Sequence, residues 1–511
     1  MIYICREKYY IGVNMIRIRL ENHEYFNEVS DIVRMYFGKC KIERIEKALE
    51  DNQSFFRDNS VLIISRLNFD GESCICTTTY REVQRQEEVA VKSNIRPYDI
   101  KALKSLVKKS MYKLLSLVFD REFPWGILTG IRPVKIVHEM MSKGLPEEDI
   151  PDKLIKEYYM SEDRARLLIE IAGIERPFIY PYNSETVSIY IGIPFCPSRC
   201  HYCSFTSNSI AAYNDYVEPY LESLTKELRR VSEYLNSEGY RAQTIYIGGG
   251  TPTSLNVNQL ERLMMCIKSC FGQQTIEFTC EAGRPDSITQ EKLKALLKNG
   301  VGRISINPQT MNDDTLKRIG RAHNAVQIVE CFNLARNLGF NNINMDLILG
   351  LPGETMEHLA HTLREIKKLD PESVTVHTMA IKRASLFNEG FMDKSIPEDE
   401  IVLRMMDYTK DFLKGLGMHP YYLYRQKHML QNLENIGFSK KGFECLYNMQ
   451  IMEEKQTNVA FGADAVTKIV LNSENRIERQ HNIKDVKLYI ENIDAMISKK
   501  LDILEQIRKV Y

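Results

Sequence analysis

Three cysteines define the chemistry this chain could do. Cys196, Cys200 and Cys203 lie in SIYIGIPFCPSRCHYCSF (Ser188–Phe205), a C-x3-C-x2-C array directly after an apolar run patterned as a buried strand. Thiolates at that spacing can hold three corners of a cubic [4Fe–4S] cluster from one loop. Such clusters normally take four cysteines, so the fourth iron is open to a small molecule. A zinc site and ordinary buried cysteines are the alternatives. Zinc sites usually show two separated ligand pairs, and this loop is a triplet.

With Tyr202 inside the triplet and Pro194-Phe195 ahead of it, the array resembles that of the radical S-adenosylmethionine (SAM) enzymes. The resemblance implies that the amino and carboxylate groups of SAM chelate the open iron. It also implies that an electron from the cluster breaks SAM into methionine and a 5′-deoxyadenosyl radical. Gly248-Gly249-Gly250-Thr251-Pro252 follows the next strand-like run. Glycines let a backbone approach a ligand closely, and a tight turn is the plainer reading. Placed after this cysteine loop, the segment resembles the motif that binds the amino group of SAM, here Gly249, Gly250 and Thr251.

Glu281 ends a further strand in CEAGRPDS, where a carboxylate could accept from a ribose hydroxyl or an ammonium. Gln309 stands in SINPQT, Arg321 in KRIGRAH and Asp346 in NMDLILGLPGET. Singly, Asp346 reads more readily as a structural carboxylate in a sheet and Arg321 as a surface residue after a helix. Together these words resemble the oxygen-independent coproporphyrinogen oxidases, strongly over Thr186–Arg383 and more weakly to Lys468. TGIRPVK (Thr129–Lys135), PYYLYRQK-x-M (Pro420–Met429), NLENIGF (Asn432–Phe438) and EEKQT (Glu453–Thr457) are similar to the HemZ-type coproporphyrinogen dehydrogenase branch. The resemblance implies SAM contacts at Glu281 and Gln309, and places in the SAM pocket for Arg321 and Asp346. It further implies a backbone contact at Ala380 and packing of Tyr190 near SAM. Three departures stand out: Gly192 where better-understood relatives carry His, a different N-terminus, and Ser204-Phe205 where some carry a further Cys.

The elements that must position these residues follow from periodicity. From Thr186 strands and helices alternate, as in a parallel sheet. Strands are expected at Val187–Ile193, Thr244–Ile247, Ile276–Glu281, Arg303–Asn307, Ile343–Leu349 and Ser373–Met379. Helices are expected between them at Tyr213–Leu235, Gln259–Phe271, Gln290–Lys298, Val326–Leu338 and Met356–Leu369. Six βα units make a partial (β/α)6 barrel, also the radical SAM core, with its chemistry at the carboxyl ends of the strands. The expected fold class is α/β, with a small N-terminal α/β domain (1–95), a helical connecting segment (96–180), the barrel (181–385) and a C-terminal α+β extension (386–511) capping it. Cys74 and Cys76, at i and i+2 in a strand, share a face and read as core. Cys266 and Cys270 share a helix face and read as packing.

The chain has 511 residues, 68 Lys+Arg against 68 Asp+Glu, and 44% hydrophobic residues. A net charge of zero gives no overall field for nucleic acid or anionic lipid, and no basic cluster interleaved with aromatics calls for RNA. Twelve cysteines without regular spacing, with no signal peptide or membrane-length apolar run, point to a cytoplasmic protein with reduced thiols. The resemblance implies a tetrapyrrole substrate, coproporphyrinogen III, whose propionates lose hydrogen, an electron and CO2 to become vinyl groups. It also implies an electron donor such as flavodoxin or ferredoxin. Arg425 and Lys427 are the candidate cations for propionates, with Tyr421, Tyr422 and Tyr424 as a flat face against the macrocycle. Haem binding is the alternative, carried in some relatives by a C-terminal H-N-x-x-Y-W word that this chain lacks.

Overall fold

The computed structural model describes residues 13, 15–38, 40–46, 60–71, 73–83, 85–130, 132–203, 208–272, 275–379, 397, 399–426, 433–471 and 476–509. They divide into two compact units, Met1–Ile131 with Met140–Leu167, and Arg132–Glu139 with Leu168–Tyr511.

The first unit is built on β1 (Met15–Glu21), α1 (Phe26–Phe37), β2 (Lys41–Arg44), β3 (Ser60–Asp70), β4 (Ser73–Glu82), β5 (Arg85–Ser93) and α2 (Ile100–Phe119). The sheet order is β2-β1-β3-β4-β5, with β1 parallel to β2 and β3 and the rest antiparallel. Asp70-Gly71 turns β3 into β4, and Gly71 has φ +60°, which suits glycine in a hairpin turn. Cys74 and Cys76 are buried in one core with Ile16, Val33, Leu106 and Met111. Strand β5 alternates between half-buried and exposed positions, too polar to stand out by its sequence. Two shorter helices follow, α3 (Val134–Ser142) and α4 (Ile150–Tyr158), then α5 (Glu162–Ile179).

The second unit carries the βα alternation. Its elements are β6 (Thr186–Ile193), β7 (Phe195–Cys196), β8 (Asn208–Ser209), α6 (Asn214–Ser237), β9 (Arg241–Gly249), α7 (Val257–Phe271), β10 (Glu277–Gly283), α8 (Gln290–Lys298), β11 (Arg303–Ile306), α9 (Asp313–Arg318), α10 (Ala325–Leu338), β12 (Ile343–Leu349), α11 (Met356–Leu369) and β13 (Ser373–Thr378). Then come α12 (Asp399–Gly415), β14 (His419–Tyr424), β15 (Asn435–Ser439), α13 (Leu446–Glu453), β16 (Thr457–Phe461), β17 (Val466–Leu471), β18 (Arg476–His481), α14 (Val486–Glu491) and α15 (Ile493–Lys509). Strands β6, β9, β10, β11, β12 and β13 are parallel and stand side by side in chain order, the partial six-stranded barrel expected from the sequence. The strands after the barrel extend that same sheet at both edges. β15 pairs antiparallel with β13 and carries β14, while β16 pairs parallel with β6 and leads to β17 and β18.

One buried ion pair locks that second edge. Lys500 on α15 and Glu227 on α6 are both 0% exposed and paired at 2.5 Å. Glu227 also accepts from Gly462 N, Asn482 Nδ2 and Tyr489 Oη. Lys500 donates in addition to the Ala460 carbonyl. Removing one member of a buried pair leaves the other charge uncompensated. Lys500→Met should therefore destabilise this unit by about 3 kcal/mol. Urea unfolding followed by far-UV circular dichroism is the suitable measurement, because the single tryptophan, Trp125, belongs to the other unit.

Candidate active site

The cysteine loop leaves β6 and is pinned on both sides. Asn208 N and Ile210 N donate to the carbonyls of Pro194 and Cys196, at 2.9 Å each. His201 N donates to Ile319 O at 3.0 Å, tying the loop to the segment before Arg321. Thr251 Oγ1 lies 3.5 Å from Cys196 Sγ, and Arg284 Nη1 lies 3.7 Å from Cys200 Sγ and 2.9 Å from Ser198 O. Arg284 is fixed in turn by Asp286 at 2.6 Å. Arg284 was passed over in the sequence, although it sits inside CEAGRPDS. A cation aimed at a thiol loop is the signal that marks it.

The glycine run provides the close approach. A Cβ on Gly250 would lie 2.6 Å from Phe195 O and 2.9 Å from Cys196 Sγ, and Gly249 has φ +104°, which L side chains rarely adopt. Glu281, on β10, accepts from Tyr246 Oη at 2.7 Å. Burial pushes its carboxyl up to about 7, and the nearby Asp346 carboxylate adds to the rise. Asp346, on β12, takes 2.7 Å hydrogen bonding from Asn344 Nδ2 and faces His377 Nε2 at 3.7 Å. Burial alone would raise Asp346, and His377 together with Asn344 hold it below its usual range. Two carboxylates on one wall are thus driven apart in pKa by their partners.

Gln309 bridges β11 and β12, its N–H donating to Asp346 O and its carbonyl accepting from Ile348 N. It holds φ +68°, a strained conformation for a non-glycine residue. Its buried Oε1 has no partner within the protein. Arg321 donates to Tyr202 Oη at 2.7 Å, joining the fourth-strand loop to the cysteine loop.

Cys196, Cys200, Cys203, Gly249, Gly250, Thr251, Glu281, Gln309, Arg321 and Asp346 line one cavity of about 350 Å³. Tyr190 does not line it. Its ring stacks behind, 6.4 Å from both Tyr246 and Tyr447. Tyr246 is the aromatic on the wall, and only the register of β9 against β6 reveals that order. Of the tyrosine strand, Tyr422 and Tyr424 line the cavity with rings 5° from parallel, and Gln426 follows them. Tyr421 and Arg425 are buried and off the lining. A strand shows alternate side chains to opposite faces, so a three-tyrosine face was not available. Lys427 and Ala380 lie outside the described residues. Cys266 and Cys270 pack together on α7, Sγ to Sγ 3.9 Å, away from this lining.

Residues 190–366 match the radical SAM superfamily. The chain is 42% identical over 388 residues to the oxygen-independent coproporphyrinogen-III oxidase-like protein HemZ of Bacillus subtilis (strain 168), covering 75% of this chain and 77% of that protein. This chain is a radical SAM protein of the coproporphyrinogen-III oxidase-like family. It is also 35% identical over 283 residues to the heme chaperone HemW of Bacillus subtilis (strain 168), covering 54% of this chain and 70% of that protein. Among solved structures, coproporphyrinogen III oxidase (HemN) from Escherichia coli aligns with a TM-score of 0.51 at 23% identity, over 64% of this chain and 73% of that one. That likeness establishes the shared fold.

The cofactors of this radical SAM protein are a [4Fe–4S] cluster and SAM. The residues present fit both. Three cysteines border a space against which a glycine backbone is pressed. Beside them lie an unpartnered buried amide oxygen at Gln309 and a ring of polar side chains from successive strand ends. Burial pushes the Cys196 thiol up to about 11, so a bound metal must displace its proton.

Two outcomes follow from this geometry. Gly250→Ala should abolish the visible absorbance of the cluster as completely as Cys200→Ala, while Cys266→Ala and Cys270→Ala leave iron content unchanged. Iron retained in Gly250→Ala would mean the loop yields easily. The second concerns pH. A Glu281 carboxyl raised from an ordinary 4.5 to about 7 favours the folded state in its protonated form. That contribution is full below about 4.5 and is lost as pH rises through about 7. Glu281→Gln should flatten the decline in stability of the SAM-free protein across that window, read by denaturant unfolding at several pH values.

Proposed function

We propose that this protein oxidatively decarboxylates the propionates of coproporphyrinogen III to vinyl groups. The observation that carries the reading is the shape of the cavity: the cysteine loop and the SAM-type strand ends face a wall of stacked Tyr422 and Tyr424 with Gln426 and Met452. A flat aromatic wall opposite a radical source suits a tetrapyrrole. The similarity to HemZ and the HemN-like fold support the same reading.

Bound together, cluster and SAM supply a radical able to take a hydrogen atom from an unactivated carbon. The chain supplies position. In this reading Gly249 and Gly250 offer backbone to the methionine end of SAM, and Glu281 and Asp346 offer carboxylates to its polar groups. Gln309 directs its free amide oxygen into the same space, and Arg321 holds Tyr202 against the loop. Arg284 lends positive charge beside Cys200. For each propionate one hydrogen atom leaves the β-carbon, one electron passes to an acceptor, and CO2 departs to leave the double bond. The electron that starts each turnover comes from a reduced carrier such as flavodoxin or ferredoxin, in the cytoplasm. Of the two cations proposed for the propionates, Lys427 is retained. Arg425 is buried off the cavity, just after β14.

Anaerobic incubation with coproporphyrinogen III, SAM and a reductant, followed by mass analysis, should show loss of one or two CO2. Lys427→Ala should slow that loss at least tenfold and leave substrate-free SAM cleavage near its normal rate. Arg425→Ala should lower stability more than turnover.

Haem binding is the second reading, favoured by the HemW similarity. The nearest approach to H-N-x-x-Y-W is HNIKDV (His481–Val486), with Asp485 and Val486 in the aromatic places. Asn482 there is buried in the Glu227 network and His481 is exposed. Stoichiometric haem binding lost in His481→Ala, with no CO2 released by the parent, would replace the enzymatic reading.

A further inference from the structure

Arg132 and Lys135, from TGIRPVK, and EEKQT, which the cysteine cavity does not use, meet in space within the second unit. Arg132 and Lys135 both pair with Glu454. Lys468 and Arg479 lie 3.7 and 3.4 Å from the same carboxylate. Glu454 therefore gathers the cations of this region. Its neighbour Glu453, the last residue of α13, points elsewhere. His138 Nε2, on α3, lies 2.9 Å from Glu175 Oε2 on α5 and 3.9 Å from Glu453 Oε2. One ligand atom from each of the three falls within 4.8 Å of the others.

All three side chains are buried, at 1%, 0% and 0% exposure. Both oxygens of Glu453, Oε1 of Glu175 and Nδ1 of His138 have no hydrogen-bond partner. Buried polar atoms are normally partnered, and four orphans on three touching groups demand an explanation. The remaining local cations are directed at an aromatic ring: Arg176 and Lys455 sit 4.8 and 5.4 Å from the centre of Tyr180. None of them donates to Glu453.

We propose that His138, Glu175 and Glu453 bind one divalent first-row transition ion, of the manganese, iron(II) or zinc class. One imidazole and two carboxylates form a nitrogen–oxygen donor set suited to such ions. Two carboxylates and a neutral imidazole balance a charge of two, and the nearby Lys135, Arg132 and Lys455 reach Glu453 only through space, without a hydrogen bond to it. Burial drives both carboxyls up and the imidazole down, as expected of ligands without their ion. The ion would clip α3 and α5 to the end of α13. Met452, beside Glu453, lines the cysteine cavity, so the clip would fix a wall of that cavity from behind.

The test uses the full-length protein with its cluster in place. It is equilibrated anaerobically with Mn2+, which avoids thiolates, and separately with Zn2+, then desalted and analysed for metals. About one ion per chain is expected in the parent, raising the melting temperature by on the order of 5 °C. Glu453→Gln and Glu175→Gln, isosteric with the protonated acids, should lose the ion while keeping the cluster's iron and absorbance. Glu454→Gln should retain the ion. Failure of the parent to hold Mn2+ or Zn2+, with an unmoved melting temperature, would overturn the site in favour of a proton-sharing acid pair. Retention of the ion in both Gln variants would overturn it too.

Discussion

The glycine backbone at the end of β9 lies so close to the cysteine loop that a Cβ on Gly250 would stand 2.9 Å from Cys196 Sγ, and this close approach governs the rest of the site. The glycine run at the end of β9 allows it by giving up every side chain at the point of contact. That forces β9 to lie beside β6 in register, Gly248 against Gly192 and Gly249 against Ile193. The same register carries Tyr246 beneath the cavity and Glu281 onto Tyr246. Each further strand then delivers one polar group to the cavity: Glu281 from within β10, Gln309 after β11, Asp346 from within β12 and His377 near the end of β13. The site is thus a product of parallel strand order. A slip of one residue would turn these groups away.

The electrostatics of the cavity follow from which partners each strand brings. Glu281 meets a phenol, a weak donor, and burial dominates, so its carboxyl rises to about 7. Asp346 meets an amide and an imidazole, and these outweigh the same burial. One wall therefore offers a group close to neutrality beside one that stays anionic. That difference suits a ligand with both hydroxyl and ammonium groups, which is the character of SAM.

Much of this was legible in the sequence because the informative residues are local. Strand ends, glycine runs and cysteine spacing are read within a few positions, and all six parallel strands and five of the helices between them stand where periodicity put them, while the short α9 after β11 was not expected. What escaped depends on distant pairing. β5 is a polar edge strand whose pairing with β4 decides its state. The C-terminal strands join both edges of the barrel sheet, a fact that no local pattern carries. The three tyrosines of PYYLY were read as one face, and the pleat divides them. Gly437 explains the neighbouring NLENIGF word: a Cβ there would lie 1.8 Å from the Tyr422 ring, so the glycine is the bed on which the cavity's aromatic wall rests.

Gly192, the departure from the histidine of better-understood relatives, can now be placed. Its carbonyl accepts from Tyr220 Oη at 2.6 Å, and a Cβ on it would stand 3.5 Å from Phe461 O and from the Tyr190 ring. A side chain at that position would meet β16 and the tyrosine stack, and Gly192 is not part of the cavity lining. The imidazole that does line the cavity is His377, fixed between Asp346 and Tyr424 Oη. It stands at the end of β13, where β15 and the tyrosine strand complete the wall. Among the described residues, the imidazole on the lining comes from the far end of the barrel, next to the surface proposed for the macrocycle.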